Sequence, residues 1–258
     1  ARHRLKAVAL QLRMDLAARD LLGRGKVRDR LMAVVTLGHL GDHESWPVLE
    51  RLARGQHALL SLAAARALLL IDPVRALNAL LPDFTERPDW PLARLDAMLT
   101  EAGAANVSAP LAAAVDSATP SQLPRLIALL DSAHGRAARP KIRELVRTSL
   151  DPEALIACLK SRHLPLDRAL LMPCTRHASW QVRTQAASAM ARAAQPGDEK
   201  VLTEMLADPV WWVRYRAAQS LAALPFLTRD DLWRLRFVVT DKFAQNMLDQ
   251  VVAERGTS

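Results

Sequence analysis

Residues 179–190 read Ser-Trp-Gln-Val-Arg-Thr-Gln-Ala-Ala-Ser-Ala-Met, and residues 210–221 read Val-Trp-Trp-Val-Arg-Tyr-Arg-Ala-Ala-Gln-Ser-Leu. The two stretches align without a gap at an offset of 31 residues, so Trp, Val-Arg, Ala-Ala and a long apolar residue recur at matching positions. A fixed period of this length indicates a repeat architecture, in which each unit buries its apolar face only by stacking on its neighbours. The stretch therefore predicts a stacked array.

Turn signals divide each unit into two helices. Residues 195–198, Gln-Pro-Gly-Asp, predict a turn followed by a helix start, and Asp208-Pro209 predicts the start of the next hairpin. Looser copies span residues 26–54 and 57–81, and the second of these is joined internally by Asp72-Pro73. A third begins near residue 89, and two more are expected between 120 and 175, where the register is ambiguous.

Composition favours an all-α fold. Half of the residues are hydrophobic but only 4% are aromatic, Ala and Leu dominate, and β-branched runs are nearly absent. The longest uncharged stretch, residues 102–115, is shorter than the roughly 20 apolar residues that a membrane-spanning helix needs. We therefore expect little or no sheet and no membrane-spanning helix within this sequence.

The pattern V-R-x-x-A-A-x-x-L, with a preceding Trp and an Asp-Pro junction, resembles the HEAT repeat family, including the HEAT-like repeats of phycobilin lyases. Residues 179–224 carry the resemblance most clearly, and residues 26–81 carry it more weakly. The resemblance implies a right-handed α-solenoid of about seven helical hairpins, with first helices on the convex face and second helices on the concave face. It also implies a binding scaffold rather than an enzyme.

This interpretation divides the chain into three parts. Residues 1–25 form a basic N-terminal capping or juxtamembrane helix, residues 26–225 the repeat array, and residues 226–258 the C-terminal capping helices. In the C-terminal part, Thr228 and Asp231 predict a capping box.

One register extended through the chain predicts a set of core residues and a set of recurring arginines. Val-Arg occurs at 27–28, 182–183 and 213–214, and the first two pairs are five repeat lengths apart. Because a residue repeated in every unit is best explained by packing and hydrogen bonds between units, we assign these arginines a structural role. The predicted core residues are Val27, Leu31, Leu37, Val182, Ala187, Val213 and Leu221; the arginines are Arg28, Arg183 and Arg214.

The net charge of +8 is concentrated at one end. Residues 1–30 contain nine Lys and Arg against three Asp, which is +6, and the other 228 residues carry only +2. A groove that follows nucleic-acid phosphates needs basic side chains along its whole length, so this distribution argues against such a groove. The predicted N-terminal basic patch consists of Arg2, Arg4, Lys6 and Arg13.

The basic segment itself predicts an amphipathic helix, because apolar residues recur at three- and four-residue steps from Leu5 to Leu16 and Gly23 and Gly25 follow. This helix either caps the first hairpin or lies beside an anionic membrane surface on its cytoplasmic side. The two interpretations are compatible. The sequence begins without Met, and whether a membrane-spanning segment precedes residue 1 stays open.

The sequence predicts no metal site, no cofactor and no catalytic residues. Cys158 and Cys174 are too few for a disulfide framework, which favours a reducing, cytoplasmic compartment. Cys174 and His177 have a C-x-x-H spacing with His163 upstream, but a zinc site needs four converging ligands. The G-x-S-x-G, P-loop, H-E-x-x-H and G-x-G-x-x-G motifs are absent from the sequence.

Tryptophan and arginine are favoured at binding hot spots, and they cluster in the last repeat. Trp180 and Trp211 are equivalent in the repeat and are assigned a structural role, whereas Trp212 and Trp233 do not share that register. The candidate binding patch consists of Trp212, Arg214, Arg216, Trp233, Arg234 and Arg236.

We therefore predict a non-enzymatic protein-protein interaction scaffold, the cytoplasmic part of a membrane-anchored bacterial protein at the inner face of its membrane. The alternative is a nucleic-acid-binding protein related to HEAT-like DNA glycosylases, which the chain resembles in size, helical content and basicity. That alternative uses Trp90 with Asp89, or Trp212 with Asp208, as its aromatic and carboxylate pair.

Overall fold

The computed structural model describes residues 2–133, 138–162, 164 and 167–255, and the side chains of residues 5–254 within these ranges. All regular structure in these ranges is helical, which confirms the predicted all-α class. The chain divides into two compact units, Ala1–Ala138 and Arg139–Ser258. None of the described helices is long and apolar enough to cross a membrane.

Unit 1 contains nine α-helices and one short 3-10 helix, His43–Ser45, within its described residues. The α-helices are α1 (Arg2–Gln11), α2 (Met14–Arg24), α3 (Val27–Leu40), α4 (Trp46–Ala53), α5 (Ala58–Ile71), α6 (Pro73–Glu86), α7 (Leu92–Ala102), α8 (Ala104–Ser117) and α9 (Leu123–Ser132). The first helices of its hairpins, α3, α5, α7 and α9, pack in that order, and α4, α6 and α8 pack against them.

Unit 2 repeats this arrangement. Its helices are α10 (Ala138–Thr148), α11 (Pro152–Lys160), α12 (Arg168–Thr175), α13 (Trp180–Ala193), α14 (Asp198–Met205), α15 (Trp211–Ala223), α16 (Arg229–Val238) and α17 (Lys242–Arg255). Helices α11, α13, α15 and α17 form one row, against which α12, α14 and α16 pack. In chain order, the helices from α3 to α8 make three consecutive pairs in unit 1, and those from α11 to α16 make three in unit 2.

Capping side chains place several helix starts where the sequence predicts them. Asp72 accepts a hydrogen bond from the backbone N–H of Arg75 at 3.0 Å, directly before Pro73 opens α6. The capping box of Thr228 and Asp231 is present at the start of α16. Helix α6 ends at Glu86 rather than at the predicted residue 81, and Pro82 lies inside it.

The packing of first helices depends on small residues. A Cβ atom at Gly38 would lie 2.7 Å from the Cα atom of Ala67, so only glycine fits where α3 crosses α5. In unit 2, Ala186, Ala187 and Val182 are fully buried. The burial of Val182 and Ala187 confirms their predicted place in the core.

The predicted register is wrong at its N-terminal copy. Val27 is 44% exposed and Leu31 is only partly buried, whereas the other five predicted core residues are fully buried. The buried residues of α3 include the pair Ala33 and Val34. Arg30 lies three residues before this pair, as Arg183 does before Ala186-Ala187, so Arg30 rather than Arg28 is the equivalent arginine. Val-Arg at residues 27–28 therefore matches the repeat only by coincidence, and Arg28 is exposed.

The basic N-terminal segment also differs from the single predicted helix. The structure has two helices, because the chain turns at Arg13, whose φ of 53° is in the left-handed region. Arg19 of α2 pairs with Asp42, which lies beyond the end of α3, at 2.9 Å from its Nε. The second helix is thereby anchored on the first hairpin.

A buried tryptophan anchors the middle of unit 1. The Trp90 side chain is fully buried, donates a hydrogen bond from Nε1 to the Ser61 hydroxyl at 3.0 Å, and meets the Phe84 ring edge-on at 5.5 Å. Arg87 donates from Nη2 to the same hydroxyl at 3.0 Å and from Nη1 to the carbonyl of Ala53 at 2.8 Å. One hydroxyl thus accepts hydrogen bonds from both side chains at this junction.

We expect the Trp90→Ala substitution to lower the free energy of unfolding by about 3–5 kcal/mol, because it leaves a cavity and removes the hydrogen bond to Ser61. Urea denaturation followed by far-UV circular dichroism measures the change. Trp212→Ala serves as the control, because Trp212 is exposed, and it should cost about 1 kcal/mol or less. Equal losses for the two variants would contradict the assignment of Trp90 to the core.

Candidate functional site

The recurring arginines of unit 2 are structural. Arg183 donates from Nε and Nη2 to the two carboxylate oxygens of Asp208 at 2.7 and 2.9 Å, and from Nη1 to the carbonyls of His177 and Ala178 at 2.9 and 3.0 Å. This bidentate pair connects α13 to the junction that precedes α15. The hydrogen bond to Asp208, opposed by partial burial, raises the pKa of Arg183, so the guanidinium is fully charged.

Arg214 repeats half of this arrangement. Its Nη1 donates to the carbonyls of Asp208 and Pro209 at 2.7 and 3.1 Å, at the same offsets along the chain as in Arg183. Its guanidinium lies 5.5 Å from the centre of the Phe243 ring, and its Nε is buried without a hydrogen-bond partner. The predicted structural role is confirmed for Arg183 and Arg214, which removes Arg214 from the groups free to bind a partner.

The remaining residues of the predicted patch fall into two groups. The first lies on α16, where Trp233 and Phe237 are one turn apart with ring centres 5.2 Å from each other. Trp233 is 52% exposed and Phe237 is 67% exposed. Arg236 lies 5.9 and 5.8 Å from the two ring centres and is fixed by Asp249 of α17, whose carboxylate is 2.6 Å from its Nε.

Two neighbouring side chains extend this group. The side chain of Arg234 is 81% exposed, and Asp231 at 3.7 Å is its ion-pair partner. Val238 ends the helix and is also highly exposed. We define the α16 surface as Trp233, Arg234, Arg236, Phe237 and Val238.

The second group lies on the first turn of α15. Trp211 stacks on Tyr215, with ring centres 5.0 Å apart and planes 10° apart, and Trp212 meets Trp211 edge-on at 4.7 Å. Trp212 and Arg216 are exposed, and Arg216 has no hydrogen bond or ion pair to the described part of the chain. Among the described residues, no ring contact joins this group to the α16 surface.

The sequence-based patch omits exposed apolar residues on the last two helices. Phe237, Val238 and Phe243 are all more than half exposed. A helical-spacing argument could have found Phe237, since it lies four residues after Trp233 on the same face. Phe243 lies in the first turn of α17, and its exposure depends on how that helix packs.

The structure describes the side chains of two of the four residues in the N-terminal basic patch. Arg2 and Arg4 have side chains outside the described residues, whereas Lys6 and Arg13 are exposed. Lys6 lines a cleft of about 340 Å³ between α1 and α3, together with Leu5, Ala9 and the α3 residues Val35 and His39. Leu5 and Leu12 of the same segment are 69% and 70% exposed.

The residues of the glycosylase alternative take part in structural contacts. Trp90 is buried in unit 1, and Asp89 accepts hydrogen bonds from Arg87 at 2.6 and 3.0 Å. The hydrogen bonds from Arg87 lower the pKa of Asp89, so this carboxyl is ionised. Asp208 is the bidentate partner of Arg183. Both carboxylates are thus held in ion pairs within their own units.

The two cysteines are both buried and free. Burial, assisted by the proximity of Cys174, raises the pKa of the Cys158 thiol to about 12, so this thiol is protonated and unreactive at neutral pH. His177 accepts a hydrogen bond at Nδ1 from the backbone N–H of Ser179. His163 lies outside the described residues, and the described ones contain no group of three or more metal-binding side chains.

Comparisons with known proteins find HEAT repeats in part of the chain. A model of the HEAT repeat family matches residues 140–222, which span most of α10 and continue into α15. No curated protein matches the chain in sequence. Among solved structures, the crystal structure of an engineered protein matches with 18% sequence identity over 91% of this chain and 76% of that chain, at a TM-score of 0.43.

Proposed function

We propose that this protein, whose residues 140–222 match a model of HEAT repeats, is a non-enzymatic scaffold that binds another protein through the α16 surface. Repeat arrays of this kind typically mediate protein-protein interactions. The observation that supports the location is the arrangement of Trp233 and Phe237 around Arg236, with both rings more than half exposed.

The α16 surface has the composition of a binding hot spot. Its rings supply apolar area that would be buried in a complex, and Trp and Arg are the residue types most enriched at such sites. Asp249 and the two rings fix Arg236, so little side-chain entropy is lost when a partner contacts it. Arg234 adds an exposed cation, which favours a partner with apolar side chains beside acidic ones.

A matched pair of double variants tests the proposal. The protein, immobilised on beads, is incubated with lysate of its source organism with and without nuclease, and each captured protein is identified and then titrated in pure form. We expect to capture a defined protein whose binding persists after nuclease treatment and at moderate salt. Its affinity for the Trp233→Ala/Phe237→Ala variant should be at least about thirtyfold lower, because hot-spot truncations cost about 2 kcal/mol or more.

The control is Leu59→Ala/Leu150→Ala, which removes two exposed apolar side chains elsewhere in the chain and should leave the affinity unchanged. An equal loss in the control, or no loss in the α16 variant, argues against the α16 surface. If only nucleic acid is recovered and its binding falls steeply as salt rises, the scaffold proposal is wrong and the nucleic-acid alternative is favoured.

We propose in addition that helices α1 and α2 rest on an anionic membrane surface, which would place the scaffold at the inner face of a membrane. The support is the combination of exposed Leu5, Val8, Leu12 and Leu16 with the exposed cations Lys6 and Arg13 on one short segment. Apolar side chains enter the headgroup region while Lys and Arg are attracted to anionic lipids.

Sedimentation with lipid vesicles tests this second proposal, because it measures the fraction of protein bound to the membrane. Vesicles of phosphatidylcholine with about a third phosphatidylserine should bind the protein, vesicles of phosphatidylcholine alone should bind it weakly, and Leu5→Gln/Leu12→Gln should abolish binding. The matched control is Leu59→Gln/Leu150→Gln, which should bind like the original protein. Binding that is unaffected by Leu5→Gln/Leu12→Gln, or equally strong on both vesicles, rules out this contact.

A further inference from the structure

We propose that the cleft between α10 and α12 binds an acidic segment of a protein partner, with Arg143 and Arg147 as the residues that bind two of its carboxylates. The cleft has a volume of about 420 Å³ and lies within unit 2. The proposal shares with the proposed function the premise that the partner is a protein, but it does not depend on the α16 surface.

Helix α10 forms the cationic wall. Its sequence places Arg139, Arg143 and Arg147 four residues apart, so the three side chains follow one stripe along the helix. Ile142 and Val146 are buried directly beside that stripe. Packing of these two residues fixes the rotation of α10 and holds the arginines at the edge of the core.

Helix α12 forms the opposite wall. Asp167 caps its start by accepting a hydrogen bond from the backbone N–H of Ala169 at 3.0 Å. Ala169, Leu170 and Pro173 add apolar surface to the cleft. Arg168, the first residue of this helix, binds the carbonyls of Pro196 and Gly197 and so adds no cation to the cleft.

The charges in the cleft are unbalanced. Asp167 is the one acidic residue of its lining, and it lies 3.5 Å from Nη2 of Arg143. Arg147 and Arg139 have no hydrogen bond or ion pair within the described residues. Like charges one turn apart on a helix repel each other, so a bound carboxylate would relieve repulsion as well as form new hydrogen bonds.

Other arginines of this chain bind carboxylates with two hydrogen bonds. Arg66 takes the carboxylate of Glu101 with Nε and Nη2 at 2.7 and 3.0 Å, and Arg183 takes Asp208 in the same way. Arg143 and Arg147 are one helical turn apart, which separates their Cβ atoms by roughly 6 Å. Acidic side chains at positions i and i+2 of an extended peptide have nearly this separation, at about 3.3 Å per residue.

The lining favours a peptide over a polyanion. Affinity for nucleic acid comes from many neutralised phosphates. This cleft instead presents two arginines, one opposing carboxylate and an apolar floor formed by Val146, Leu170 and Pro173. An acidic segment with aliphatic residues between its carboxylates matches both the cations and the floor. Such contacts give a weak, salt-sensitive subsite that adds to a larger interface.

The test is a titration of the full chain, labelled with ¹⁵N, by a capped pentapeptide with glutamates at its second and fourth positions and leucine between them. We expect saturable chemical-shift changes in the backbone amides of α10 and α12, and at least about tenfold weaker binding in Arg143→Gln/Arg147→Gln. The same peptide with glutamine in place of glutamate should give no saturable change.

The matched control is Arg51→Gln/Arg94→Gln, which removes the same charge from two exposed arginines of unit 1 and should keep the affinity within about twofold. Equal weakening in both double variants would show non-specific attraction and overturn the proposal. So would shifts that map away from α10 and α12, or preferential binding of a single-stranded oligonucleotide at this cleft. Because the probe is a defined peptide, this result is independent of the lysate experiment.

Discussion

The structure depends on arginine side chains that satisfy backbone carbonyls at the junctions between helices. The last carbonyls of every helix lack a partner within that helix, and in a stacked array many of them face a neighbouring hairpin rather than water. Arg125 donates to the carbonyls of Phe84 and Arg87, Arg192 to those of Leu159 and Ser161, and Arg183 to those of His177 and Ala178. A guanidinium has five donors in a rigid plane, so it can bridge two or three carbonyls at once, which lysine cannot do as well.

This use of arginine changes the meaning of the charge. A basic chain of this size suggests a polyanion partner, but a large share of its arginines bind carbonyls and carboxylates within the fold. Arg147 and Arg216 have no such contacts within the described residues and are available for recognition. On α16 and in the cleft between α10 and α12, cationic side chains that border apolar ones are each paired with a single carboxylate: Arg234 with Asp231, Arg236 with Asp249 and Arg143 with Asp167.

The sequence predicts the repeat, the helical class and several helix boundaries because each depends on local chemistry. Asp72 caps α6 and Thr228 caps α16, whereas Asp208 lies two residues before the N-cap of α15. The period of 31 residues is read directly from residues 179–221. The register of α3 could not be predicted from a two-residue motif, because Val27 lies before the packed part of its helix, at its exposed start. The spacing of residues along the chain does not give the geometry of the candidate patch: Trp212 and Trp233 lie on different helices, and Arg214 donates hydrogen bonds to two carbonyls. The cleft beside α10 could not be found from the sequence, because its second wall comes from a helix about twenty residues later.

If arginine bridges couple successive hairpins, a double-mutant cycle on Arg183 and Asp208 will show a large coupling energy. The free energies of unfolding of Arg183→Ala, Asp208→Ala and the double variant are compared with that of the original protein by urea denaturation. The bidentate pair is largely buried, so we expect a coupling energy of about 1.5–3 kcal/mol, with Arg183→Ala the more costly single change because it also releases two carbonyls. A coupling energy below about 0.5 kcal/mol, as found for exposed ion pairs, would show that this arginine does not couple the hairpins.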